Sequence, residues 1–139
     1  MSGNTRTHES VETGEALPPL DVPIHAAMIV AGAVASNDFT PVHHDRSAAQ
    51  EQGLPDIFMN ILTTNGYVGR YVTDWAGPDA RVTGVKLKLG GPNMPGDTLK
   101  LRGKVLEVGE EDVVVEVSGN NSWGNHVTAQ VWVQLPGAA

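Results

Sequence analysis

"IFMNILTTNGYVGRYVTDWAG", residues 57–77, is the stretch on which the fold turns. Ile57, Ile61, Asn65, Val68 and Val72 fall at intervals of three and four, so a helix here would carry one mostly apolar stripe. Leu62, Gly66, Gly69 and Thr73 lie beside that stripe. Gly66 and Gly69 lower helix propensity, and the reading assigns them to close packing of another backbone. The segment therefore predicts one long helix held against something flat.

The flat partner follows in the sequence. "RVTGVKLKLG" (81–90), "DTLKLRGKVLEVG" (97–109), "DVVVEVSGNNSWG" (112–124) and "NHVTAQVWVQL" (125–135) alternate apolar and polar residues and are separated by Gly, Asn or Pro. They predict four antiparallel strands. Val85, Leu87 and Leu89 share one face of the first. Leu99, Leu101 and Val105 serve the second once a distortion at Gly103 is allowed. Val127, Ala129, Val131 and Val133 share a face of the last, with Trp132 on the other. Together with a short strand near Val22 to His25, these elements predict an α+β fold in which an antiparallel sheet wraps the long helix. An exposed sheet edge would suit dimerisation through a larger sheet.

Upstream, "HAAMIVAGAVAS" (25–36) reads as a short buried helix, although Ile29, Val30 and Val34 keep a strand open. Pro41 stops any continuation, so 38–44 are a loop. Asp45 is placed to cap a short helix over "RSAAQEQG", with Gly53 as its exit. Residues 1–19 are polar and read as a disordered leader, which leaves 20–139 as a single domain.

Composition removes several functions. The 139 residues contain no Cys, which excludes disulfides, thiolate ligands and a Cys nucleophile. A net charge of -7 with scattered Lys and Arg argues against a nucleic-acid surface. No stretch has the length and apolarity of a membrane span, nor the pattern of a signal peptide. A soluble, cytoplasmic protein is expected.

Chemistry concentrates in "SNDFTPVHHDR", residues 36–46. Asp38 and His43 are separated by a turn and can converge, and carboxylate with imidazole supplies proton-transfer chemistry. The competing reading is an Asp38 helix cap and an exposed turn histidine. His44 points elsewhere and suits a supporting role, Asp45 a cap, and no third nitrogen or sulfur ligand completes a zinc site. At Asn60 the backbone amide of the long helix's first turn could stabilise negative charge on a carbonyl oxygen, or the side chain could simply cap. His126 is expected exposed or paired across the last strand, and Arg70 in a surface ion pair.

"DFTPVHHD" (38–45), "DIFMNIL" (56–62) and "RYVTDWAG" (70–77) together resemble the MaoC-like, or R-specific enoyl-CoA hydratase, family. More narrowly they resemble the small subunit of actinobacterial heteromeric hydratases acting on steroid side-chain enoyl-CoA esters. The resemblance implies a hot-dog fold, and it implies that Asp38 and His43 activate the water added across a 2-enoyl-CoA double bond. It also implies that the Asn60 amide polarises the thioester carbonyl, with Thr40 and His44 in supporting positions. No cofactor is implied beyond the CoA of the substrate, and no metal. The implied partner is a second MaoC-like subunit in a heteromer, up to a heterotetramer. Two departures stand out: Thr40 replaces the family's usual Asn, losing an amide partner for Asp38, and Met59–Asn60 replace the usual His-Gly. A hot-dog thioesterase and a noncatalytic subunit are the alternative functions.

Overall fold

The computed structural model describes residues 5–137. Five antiparallel strands form one sheet in the order β1 (Leu20–Pro23), β3 (Thr98–Val108), β4 (Asp112–Asn121), β5 (Gly124–Gln134), β2 (Arg81–Leu89). Helices α1 (Ala26–Ala35), α2 (Arg46–Glu51) and α3 (Ile61–Ala76) occupy the first half of the chain. Alternation makes the strands, as expected: Val113, Val115 and Val117 of β4 and Val127, Ala129, Val131 and Val133 of β5 are buried on the face that meets α3. The distortion of β3 lies between Val105 and Glu107 rather than at Gly103. Gly103 is instead a point of close approach, where a Cβ would come within 2.9 Å of the Tyr71 ring.

The sheet does not wrap the helix, which corrects the expectation from sequence. β1 and β2 stand at opposite ends of the strand order and do not pair with each other, so the sheet is open and α3 lies across one face. The dimensions explain why closure is unnecessary. Five strands at about 4.8 Å spacing make a sheet roughly 20 Å wide. A 16-residue helix is about 24 Å long, enough to cross that face. The α+β class, the antiparallel sheet and the long helix stand.

Helix α3 begins later and faces differently than its spacing suggested. Asn60 is its N-cap, so Ile57 lies outside the helix, where it is buried in its own right. The buried face is Thr64, Val68, Tyr71, Val72 and Ala76, while Ile61 and Asn65 are exposed. Ile61 and Asn65 of the expected stripe gave way because a hydroxyl on the inner face, Thr64, has a buried partner. A Cβ at Gly66 or Gly69 would meet nothing within 4 Å, so neither serves close packing. The close approach is at Gly32 of α1, where an added Cβ would collide with the Thr63 hydroxyl of α3.

The expected leader is corrected for residues 5–19; residues 1–4 lie outside the described part. Val11 and Leu17 are buried, and Ala16 bridges to Lys104 of β3. Arg6 pairs with Glu15 at 2.7 Å and lies over the Trp75 ring, while its N–H donates to the Ala76 carbonyl. Two buried apolar residues together with these polar contacts seat the stretch along the body. Among the described residues, no helix is long and apolar enough to cross a membrane.

Candidate active site

Helix α1 ends in a way that aims Asp38. Ser36 is its C-cap, and Asn37 adopts the left-handed conformation at φ 59°. The N–H groups of Asn37 and Asp38 then donate back to the carbonyls of Val34 (3.0 Å) and Ala33 (2.8 Å). This is the Schellman closure, and Asn accepts its positive φ at less cost than a branched residue. A 3-10 turn at Pro41–His43 follows, and it brings His43 Nε2 to 3.4 Å from Asp38 Oδ2.

Each member of this pair is held in one orientation. His43 is buried, and its Nδ1 lies 2.6 Å from the Phe58 carbonyl. A carbonyl only accepts, so Nδ1 carries a hydrogen, and in the neutral tautomer it is the Nε2 lone pair that faces Asp38. Asp38 Oδ1 accepts from the Thr40 hydroxyl (2.7 Å) and N–H (3.2 Å), and Oδ2 accepts from Asn60 Nδ2 (3.0 Å). The Thr40 hydroxyl above all, then the Asn60 amide and the Thr40 N–H, hold the Asp38 carboxyl down at about 2, with a smaller pull from His43. Asp38 is therefore an anion at neutral pH. The departure at Thr40 has not left it short of donors: a hydroxyl takes one oxygen and the Asn60 amide the other.

Asn60 stands where α3 begins. Its Oδ1 accepts from the Thr63 N–H (3.1 Å) and hydroxyl (2.5 Å), capping the helix, and its Nδ2 also donates to Ser36 Oγ (2.9 Å). The capping reading of this residue holds, and because the side chain does the capping the backbone N–H takes no part in it. The backbone N–H has no acceptor among the described residues. His43, Phe58, Met59, Asn60, Leu89 and His126 line part of a hollow of about 250 Å³. His44 is exposed and is not brought to the pair, and Asp45 caps α2 through the Ser47 N–H at 2.9 Å. Arg70 pairs with Asp74. Among the described residues, no group of three or more His, Cys, Asp and Glu could hold a metal ion.

His126 departs from expectation. It is 1% exposed, with Nδ1 2.8 Å from the Gly91 carbonyl and Nε2 2.9 Å from the Thr64 hydroxyl. Burial pushes its pKa down, outweighing the Gly91 contact, which favours the proton. The unfolded ring titrates near about 6.5, so acidification protonates the unfolded chain first. The contribution of His126 to stability is then complete above that pH and declines below it, until the lowered folded value is passed. Urea unfolding at pH 7.5 and 5.5 should show a loss that His126→Gln reduces, by up to about 1.4 kcal/mol per pH unit. An identical pH slope in both proteins would contradict this assignment.

Sequence reading missed Ser36, the Phe58 carbonyl and the outward contacts of the Asn60 side chain. Ser36 and Asn60 are 24 positions apart, and a main-chain acceptor leaves no trace in residue identity. The one available signal was Asn at a helix start, which says cap and nothing more.

Comparison with known proteins follows the same elements. Residues 9–127 match the family model for the MaoC like domain. Over 122 residues, 88% of this chain and 95% of the relative, the sequence is 48% identical to the 3-oxo-4,17-pregnadiene-20-carboxyl-CoA hydratase beta subunit of Mycobacterium tuberculosis. The structure is similar to a chain in the crystal structure of the ChsH1-ChsH2 complex from Mycobacterium tuberculosis. That likeness has a TM-score of 0.87 at 45% identity and covers 89% of this chain and 98% of the other. The fold alone is shared with the unliganded R-hydratase PhaJ1 of Pseudomonas aeruginosa, at TM-score 0.81 and 22% identity over 94% and 85% of the two chains. With the Asp38–His43 turn, α3 and most of the sheet inside the matched residues, the chain belongs to the MaoC-like domain family.

Proposed function

We propose that this chain is the catalytic subunit of a heteromeric enoyl-CoA hydratase, adding water reversibly to the 2,3 double bond of a steroid side-chain CoA thioester in the cytoplasm. The observation that carries the chemistry is the pair of acceptors, Asp38 Oδ2 and His43 Nε2, at 3.4 Å. With His43 neutral, neither has a hydrogen for the other. A water between them can donate one hydrogen to each, which leaves an oxygen lone pair directed outward.

That lone pair attacks the carbon β to the thioester. As the C–O bond forms, the π electrons move to the α-carbon and the thioester oxygen. The acid/base pair takes one proton from the water and returns one to the α-carbon, so that H and OH are added in sum. The negative charge passing through the thioester oxygen needs a donor. The Asn60 N–H, at the α3 N-terminus, is assigned that role. Asp38, ionised well below neutral pH, favours the imidazolium that forms when His43 accepts a proton. Holding water and alkene together removes much of the entropic part of the barrier.

The substrate class and the second subunit are supported by likeness: the hydratase beta subunit has a steroid CoA name, and the similar crystal structure is a two-protein complex. Phe39, Ile61 and Leu62, next to Asp38 and Asn60 in sequence, are exposed apolar side chains that suit an apolar tail or a covering partner. The cytoplasmic setting agrees with a chain that has no cysteine.

The test is coexpression with a second MaoC-like polypeptide, followed by incubation with steroid side-chain and simple 2-enoyl-CoA esters. Product heavier by one water, without free thiol, is expected. Release of free CoA would instead make the protein a thioesterase. Failure of an assembled complex to hydrate any of these esters would overturn the proposal.

A further inference from the structure

An N-cap needs only an oxygen, and Ser, Thr and Asp provide one as well as Asn does. The Asn60 side chain has more than that. It is 2% exposed, and its amide nitrogen reaches Ser36 at the end of α1 and Asp38 in the following loop, so three elements meet on one residue. The hydrogens in this cluster run one way. Thr63 presents two donors, its N–H and hydroxyl, so the amide oxygen must face Thr63. Ser36 Oγ donates to the Gly32 carbonyl at 2.7 Å and can accept from Asn60. Rotating the amide by half a turn would set NH₂ against two donors and leave Asp38 facing an oxygen.

Asp38 needs such an anchor. Oδ1 is tied to Thr40, two residues along the same loop, and that local tie travels with the loop. Oδ2, the oxygen turned to His43, has its one anchor outside the loop in Asn60 Nδ2. We propose that the Asn60 side-chain amide is a positioning residue for Asp38, fixing the rotation of the carboxylate so that Oδ2 and His43 Nε2 share one water. The inference deepens the hydratase reading and rests on it. It is separate from the oxyanion role, which belongs to the backbone N–H and is kept in every Asn60 variant.

Asn60→Asp separates positioning from capping. The new carboxylate still caps α3, but it is buried beside Asp38, so Tm of the assembled complex should fall at neutral pH and recover as the pair takes up a proton at lower pH. It removes both donors and sets a second negative charge against Asp38, in addition to His43, the titratable group already acting on it. The expected result is kcat lower by about 100-fold with KM little changed. The acid limb of the kcat–pH profile should move up by about one unit or more, because paired carboxylates resist double ionisation. Asn60→Ser, which keeps a capping oxygen without the charge, should lose at least about tenfold in kcat at near-parental Tm.

Parental kcat and an unmoved acid limb in Asn60→Asp, or full turnover by Asn60→Ser, would overturn the positioning role. Should Asn60→Asp not assemble, Asn60→Ser decides alone. His43→Ala in the same complex keeps the two ideas apart: its inactivity beside an active Asn60 variant sinks only this inference, whereas its full activity sinks the hydratase reading beneath it.

Discussion

Replacing His43 by alanine is expected to lower kcat of the assembled hydratase by about 10²–10⁴-fold, the usual range for removing a positioned acid/base group. The substitution removes the Nε2 lone pair, leaving Asp38 alone to hold the water. It also removes the donor to the Phe58 carbonyl and an edge-on ring contact with Phe58 at 5.1 Å between centroids. Leaving that carbonyl unpaired costs about 1–3 kcal/mol, a loss visible in Tm. The fold should survive it, because the strands and α3 that make the core do not depend on this turn. Measured together, a folded, assembled complex with a lowered Tm and kcat down by hundreds-fold or more is the expected pair of results. Parental kcat would remove His43 from the mechanism.

The second large effect is expected from a residue with no chemistry. A methyl at Gly32 would run into the Thr63 hydroxyl and come within 2.9 Å of Thr63 Cγ2 and 3.1 Å of its Cβ. Thr63 cannot readily turn away. It is stiff at χ1, and its hydroxyl is bonded to Asn60 Oδ1. Gly32→Ala should therefore push α1 away from α3, at about 1–3 kcal/mol of stability. Since α1 delivers Ser36 and Asp38, and the first turn of α3 carries its N-cap Asn60 and Thr63, this displacement opens the proposed catalytic cluster itself. A shift on the order of 1 Å can cost about 100-fold in rate. Gly66→Ala is the control: its Cβ meets nothing within 4 Å, so it should keep kcat and gain about 0.5–1 kcal/mol. Urea midpoints of the two variants should move in opposite directions, and kcat should fall in Gly32→Ala alone. Equal kcat in both would show that the α1–α3 contact does not hold the site.

The strands were legible because a half-buried sheet writes its alternation directly into residue type, and the expected boundaries of β2 to β5 fall within a few residues of those found. The cap at Asp45 and the exit at Gly53, with φ 90°, were legible for a similar local reason. Helix α3 was read as a helix but started early and turned about its axis. Thr64 counts as polar in any periodicity, yet it belongs inside because His126, 62 positions away, accepts its hydrogen bond. The burial of His126 was hidden by the same pairing. Curvature of the sheet also left no local mark: Gly103 looked like a bend and is a contact with Tyr71. At the site, Asp38 and His43 were visible because a turn brings near neighbours together. The Asn60 amide and Ser36 were not, since their meeting depends on how α1 crosses α3, and that crossing rests on one glycine whose partner, Thr63, is 31 positions away.

The central claim is that one pair of groups both supplies the hydroxyl and handles the proton. Asp38 Oδ2 and His43 Nε2 are 3.4 Å apart, so a single water held by both would reach the alkene from one side. Hydration of a simple 2-enoyl-CoA in ²H₂O, with the product's relative configuration at the α- and β-carbons read by NMR, tests this directly. The account predicts syn addition, with deuterium and oxygen on the same face. Anti addition, or a scrambled α-carbon in the initial product, would contradict it.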